Sequence, residues 1–168
     1  MRRILSPLFI LALFFTGICQ AGTKKGPDFT IRLHGEADKN EGESFVAEIQ
    51  LTNSPEKIFI HKVPEVNERD IRAFFPFPGN DGMIGAYFQL DAHGTNKLQQ
   101  FTVENKGRMA VILINGRVAS KARITNNVND GILFVPGGIL PVEIARLHKK
   151  FPIIGKESEF RKKPKPIQ

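Results

Sequence analysis

Phe88-Gln89-Leu90-Asp91, then Leu98, Phe101, Thr102, Asn105 and Gly107, then Met109 to Ile114, Asn115-Gly116 and Val118 to Ile124: the reading of this stretch decides the fold. The first run reads as the end of a strand, and the carboxylate of Asp91 suits the cap of a following helix. Leu98, Phe101, Thr102 and Asn105 fall at i, i+3, i+4 and i+7, which predicts one face of that helix. Gly107 stands where a helix ends in a left-handed conformation that glycine adopts without steric cost. Met109 to Ile114 is a nearly unbroken apolar strand, Asn115-Gly116 is the favoured dipeptide of a type I′ turn, and Val118 to Ile124 returns. The order is strand, helix, hairpin.

Outward from it the pattern changes twice. Phe29, Ile31 and Leu33 alternate with polar residues, as do Phe45, Ala47, Ile49 and Leu51, and Ile58 and Ile60 begin a third strand that Pro64 ends. These strands predict an N-terminal antiparallel β-meander. Glu65 to Ala73 reads as a short helix capped near Asn67. Phe74-Phe75-Pro76-Phe77-Pro78-Gly79 follows, and its prolines forbid an inner strand. Two readings of this run stand side by side. It is a loop folded down over a small apolar cluster, or an exposed aromatic patch for an extended polypeptide partner. After the hairpin come a turn-rich connection over 126–131, a short strand over 132–135 and a break at Pro136-Gly137-Gly138. Pro141 then suits the first turn of a helix with Ile144, Leu147, His148 and Phe151 on one face.

The run Phe88-x-Leu90-Asp91-x-x-Gly94, Lys97-Leu98, Phe101-Thr102, Asn105-x-Gly107, Asn115-Gly116-x-Val118-x-Ser120 and Ile124 resembles the head subdomain of the first periplasmic domain of SecD, the membrane subunit that assists bacterial protein export. Val66-Asn67-x-x-Asp70-Ile71-x-Ala73 resembles that family's lead-in to the same strand. Leu140 to Leu147 resembles its last helix more loosely, and Ala122-Arg123 stands near where the family usually carries a proline. The resemblance covers about Val66 to Lys150. It implies a non-catalytic module that binds protein chains.

The ends read differently from the middle. Arg2 and Arg3 precede an apolar run from Leu8 to Phe15, and Cys19-Gln20-Ala21 offers small residues at −3 and −1, which predicts a secretory signal over residues 1–21. Ile18 is not the small residue that would precede a lipidated Cys19, and Thr16-Gly17 interrupts the run short of the roughly 20 residues of a membrane span. Of the formal net charge of +7, much lies in Lys156 to Gln168, with five basic and two acidic residues. Lys162-Lys163-Pro164-Lys165-Pro166 cannot build a core, so 156–168 is expected to be a disordered basic tail. Aromatic residues are not interleaved with these lysines, which argues against a nucleic-acid groove.

Catalytic chemistry has little to stand on. His34, His61, His93 and His148 share no metal-ligand spacing, the serines lack a nucleophile-elbow context, and Asp91 is better placed to cap than to catalyse. No catalytic, cofactor or metal residue is named. On the second hairpin strand Arg117, Ala119, Lys121 and Arg123 are expected on one face, either as a solubilising or edge-protecting row or as a polyanion surface.

The expected fold is α+β: a β-meander over 22–63 joined to a ferredoxin-like antiparallel sheet with two helices on one face over 64–155. The expected function is a secreted, non-catalytic protein-binding module, periplasmic or extracellular in a bacterium, with no cofactor and no membrane segment after the signal. Its partner would be a polypeptide or a cell-envelope component. The alternative is an envelope structural or polyanion-binding protein that uses the basic face of the second hairpin strand and the basic tail. Candidate contact residues are Phe74, Phe75, Phe77, Arg117, Lys121 and Arg123.

Overall fold

The computed structural model describes residues 29–51, 55–79 and 82–158; the expected signal over 1–21 and most of the expected basic tail, residues 159–168, lie outside the described residues. The chain is α+β, with antiparallel sheets and, among the described residues, two α-helices of ten residues or more. Its strands are β1 (Ile31–Gly35), β2 (Val46–Gln50), β3 (Lys57–His61), β4 (Val66–Asn67), β5 (Ile71–Pro78), β6 (Ile84–Leu90), β7 (Met109–Ile114), β8 (Arg117–Arg123) and β9 (Ile132–Ile139). Helix α1 (Ala92–Glu104) follows β6, and α2 (Pro141–Lys150) follows β9.

The central stretch forms for the reasons its residues suggest. Asp91 accepts a hydrogen bond from the Gly94 N–H at 2.7 Å and caps α1, which buries Gly94, Leu98, Phe101 and Thr102. Gly107 takes φ +87°, with open space around its Cβ position, so the demand there is conformational. Asn115 and Gly116 both have positive φ, as a type I′ turn requires, and join β7 to β8.

Strand pairing refines the expected meander. β2 and β3 form their own two-stranded sheet. β1 instead lies between β4 and β7 in a sheet of order β4-β1-β7-β8, all its pairings antiparallel. The N-terminal strand and the later α+β region therefore share one core: Phe29, Ile31 and Leu33 cluster with Phe88, Leu98, Phe101, Ile112, Ile114 and Leu147. Burying each such large side chain contributes about 1.5–3 kcal/mol.

The expected helix over Glu65–Ala73 is absent. Val66–Asn67 is the short β4, and the segment turns at Asp70, which bonds back to the Asn67 N–H at 2.9 Å before β5 begins. β5 then carries the Phe-Pro run in a second sheet of order β5-β6-β9. The prolines keep this strand at an edge. On its outward side Phe74 N–H donates to Pro152 O and Phe74 O accepts from Ile154 N–H, both at 3.0 Å. Alternation puts the nitrogens of Pro76 and Pro78 on that same side, where no donor is needed. The break expected at Pro136-Gly137-Gly138 is absorbed as an irregularity within β9, where pairing slips between Ala86↔Val135 and Ile84↔Ile139.

Candidate functional site

The sheet β5-β6-β9 has two unlike faces. Phe74, Phe88, Ala86, Leu133 and Val135 point inward and are buried. On the other face the register Phe75↔Tyr87↔Phe134 lays three aromatic rings in a row across the strands. They are 48%, 41% and 49% exposed, which for rings of this size leaves a wide apolar surface in water.

Phe77 completes the group. A Cβ on Gly85 would lie 2.4 Å from the Phe77 ring, so the glycine is what lets that ring lie across β6. There its centroid is 5.0 Å from Tyr87 and 5.7 Å from Phe134, the latter pair stacked, while Tyr87 and Phe134 are 5.2 Å apart. Such contacts are worth about 0.5–1.5 kcal/mol a pair and hold the rings in place before anything binds. Met83, also exposed, lies with Phe77 and Phe134 along a neighbouring hollow of about 450 Å³. A second groove of about 320 Å³ runs between β8 and β9, floored by Leu98, Phe101 and Val128. Ser120, Phe134 and Pro136 border both hollows, so the aromatic face and the groove are continuous.

Of the residues singled out in the sequence, the structure groups some and scatters others. Phe74 is core, fully buried and 6.3 Å from Phe88. Phe75 and Phe77 lie on the outer face. Tyr87, Phe134 and Met83 join them there, with no local motif to mark them in the sequence. Their signal is the alternation Gly85-Tyr87-Gln89 against Ala86-Phe88-Leu90, matched by Phe134 between Leu133 and Val135.

The row of Arg117, Lys121 and Arg123 does not form. Ile112 pairs with Ser120 but Leu113 with Val118, so Ala119 is an extra residue and β8 changes face there. Arg117 falls on the core side, with its guanidinium 2.8 Å from Gly138 O and 2.9 Å from the buried Glu143 carboxylate. That carboxylate also accepts from Asn115 Nδ2 at 3.0 Å and Leu140 N–H at 2.9 Å, tying the hairpin turn to the start of α2. Lys121 and Arg123 lie on the other side of the sheet. Lys121 pairs with Glu56 at 3.1 Å, and Arg123 donates to Gly107 O.

Two polar arrangements were also hidden by sequence separation. Asp70 meets His93 at 3.0 Å, with Asp91 close by, but both Asp70 oxygens have partners and Asp91 caps α1. His34, 4% exposed, donates from Nδ1 to His61 O at 2.7 Å, and its buried Nε2 has no partner. Burial chiefly holds its pKa below the usual histidine value, with the Arg32 and His61 charges adding to the effect, while the His61 hydrogen bond opposes it.

No family model matches the chain, and no curated protein matches it. Among solved structures it is similar to SecDF, described as a membrane component that enhances protein export, at 16% identity and a TM-score of 0.48, covering 70% of this chain and 58% of that one. It is likewise similar to SecDF in its super-membrane-facing form, at 16% identity and a TM-score of 0.47, over 69% of this chain and 17% of that one. The chain thus spans less than two thirds of the SecDF chains it matches.

Proposed function

We propose that this protein is a non-catalytic, exported module that binds unfolded or extended polypeptide through the aromatic face of Phe75, Phe77, Tyr87 and Phe134. The observation that carries the reading is that face itself: Phe77, Tyr87 and Phe134, from three strands, packed on one another, with Phe75 opposite Tyr87 in the register and Phe75, Tyr87 and Phe134 open to water. Rings held rigidly by their neighbours lose little freedom on binding and suit apolar side chains of many sequences. The SecD-like run over Phe88 to Ile124 implies the same class of partner, although fold alone does not carry function. No helix among the described residues is long and apolar enough to cross a membrane. On the strand face the polyanion reading is the weaker one, because Arg117, Lys121 and Arg123 each have a partner inside the fold.

The test uses purified protein and a reduced, alkylated, permanently unfolded protein as probe. The double variant Phe75→Ser/Phe134→Ser is expected to bind about tenfold or more weakly, the loss of anchor aromatics, with little change in thermal midpoint. Added salt should weaken the wild type little, because apolar contact is not screened. Equal binding by wild type and variant would overturn the reading, and a steep loss with salt would favour a polyanion surface.

A further inference from the structure

We propose that the polypeptide is held as an added β-strand in the opening between β8 and β9; this rests on the polypeptide-binding reading above and specifies how the main chain is recognised. Both strands are sheet edges, since β8 ends the order β4-β1-β7-β8 and β9 ends β5-β6-β9. Their unpaired sides can be read from the ladder. Leu90 N–H donates to Gly131 O at 2.8 Å, so Gly131, Leu133 and Val135 turn their main-chain groups toward β6, and those of Phe134 turn outward. Ile124 N–H donates to Arg108 O at 2.9 Å, so Ile124, Ala122 and Ser120 turn toward β7, and the amides and carbonyls of Lys121 and Arg123 turn outward.

The two free edges face one another. A Cβ on Gly138 would lie 2.2 Å from Ala119 O, so the strands touch where glycine meets the extra residue of β8. From that contact the groove opens, with Ser120, Ala122 and Arg123 on one wall and Ile132 to Phe134 on the other. Alternating main-chain donors and acceptors along an edge match another extended chain, and an apolar floor receives every second side chain. The β5 edge shows what a closed edge looks like here: the 152–154 segment occupies it at Phe74, and Pro76 and Pro78 remove its further donors. β8 contains no proline, whereas on β9 Pro136 falls on the outward side and the outward N–H of Ile132 donates to Asp130 Oδ1 at 2.9 Å, so β8 is the edge that pairs. The outward N–H of Phe134 stands beside the aromatic row, so a strand in the groove runs onto the exposed rings.

The test compares three synthetic peptides with the intact protein. One alternates Phe or Val with Thr or Lys. The other two have the same side chains but are N-methylated at alternate residues, one on each register, which removes main-chain donors along one edge at a time. One register of methylation should weaken binding at least tenfold and the other should not. Lys121→Pro removes an outward donor and should have a similar effect. Ala122→Trp, which fills the groove without touching the main chain, guards against a proline variant that fails to fold and should also abolish binding. Equal binding of all three peptides overturns strand addition, while loss in Phe75→Ser/Phe134→Ser alone would leave the aromatic reading standing. Failure of the unmethylated peptide and of the unfolded protein to bind at all overturns both.

Discussion

The two larger sheets share one core but differ on their outer faces. Behind β1 and β7 the β2–β3 hairpin packs on the sheet. His34 and Val111 pair across β1 and β7 on the side away from the main core, and both are buried. A hydrogen bond from His34 to His61 O and one from Ala37 N–H to Phe59 O at 2.9 Å fasten the hairpin there. Behind β5, β6 and β9 no described element covers Phe75, Tyr87 and Phe134. The chain thus covers the face that carries a histidine and leaves open the face that carries the rings. Apolar burial favours the reverse, and that is why the uncovered face reads as a site.

The sharpest way to break the comparison is within one strand. Phe74→Ala removes a fully buried ring from the core and should cost about 3–5 kcal/mol, read from a urea titration. Phe75→Ala, the next residue on the opposite face, should cost about 0.5 kcal/mol or less if nothing in the protein covers it. Similar losses for the two would show that the outer face is covered after all.

A smaller effect separates the two sides of β8. Arg117→Met deprives the buried Glu143 carboxylate of its charged donor and should cost about 1.5–3 kcal/mol, since Asn115 and the Leu140 N–H remain. Lys121→Met breaks an exposed pair with Glu56 and should cost about 0.5 kcal/mol or less. Equal costs would mean that the bulge at Ala119 does not divide the cations between faces.

How much of this was legible depended on range. The cap at Asp91, the helix face at Leu98 and Phe101, the glycine at 107 and the Asn115-Gly116 turn rest on contacts a few residues apart, and local chemistry specifies them. The split of Phe74 from Phe75 follows from strand alternation, but Pro76 and Pro78 masked the strand, because an edge partly closed by the remote 152–154 segment cannot be seen in the run itself. Ala119 looks like an ordinary strand residue. Only its partner Gly138, whose missing Cβ admits the Ala119 carbonyl, makes room for the bulge that scatters the cations. The pairing of β1 with β7 spans about half of the chain, and alternation in β1 says which face is apolar but not which neighbour it meets. For the aromatic site, Phe75 and Phe77 could be suspected from density alone. Tyr87 and Phe134 needed the register.

The smallest expected effect tests how the hairpin covers its face. His34 is held below its ordinary pKa of 6.5, chiefly by burial. Neutral His34 donates from Nδ1 to His61 O, and a second proton would put a charge and a partnerless N–H at the buried Nε2. Between the folded pKa and 6.5 the unfolded chain therefore binds the proton and the folded chain does not. Stability is full above about pH 6.5, falls as the pH drops through that window, and levels off below the folded value. Glu41, which meets His61 at 2.8 Å, is held below its ordinary value chiefly by the Asp38 N–H, so it keeps its charge there and contributes to pH dependence only in stronger acid. Urea midpoints of wild type should fall between about pH 7.5 and about pH 5, and those of His34→Gln, whose amide can still donate to His61 O, should fall less. The loss should appear first as faster amide exchange in β2 and β3, with the aromatic face unchanged. Identical pH dependence in the two proteins would show that protonation of His34 is not what loosens the hairpin from the covered face.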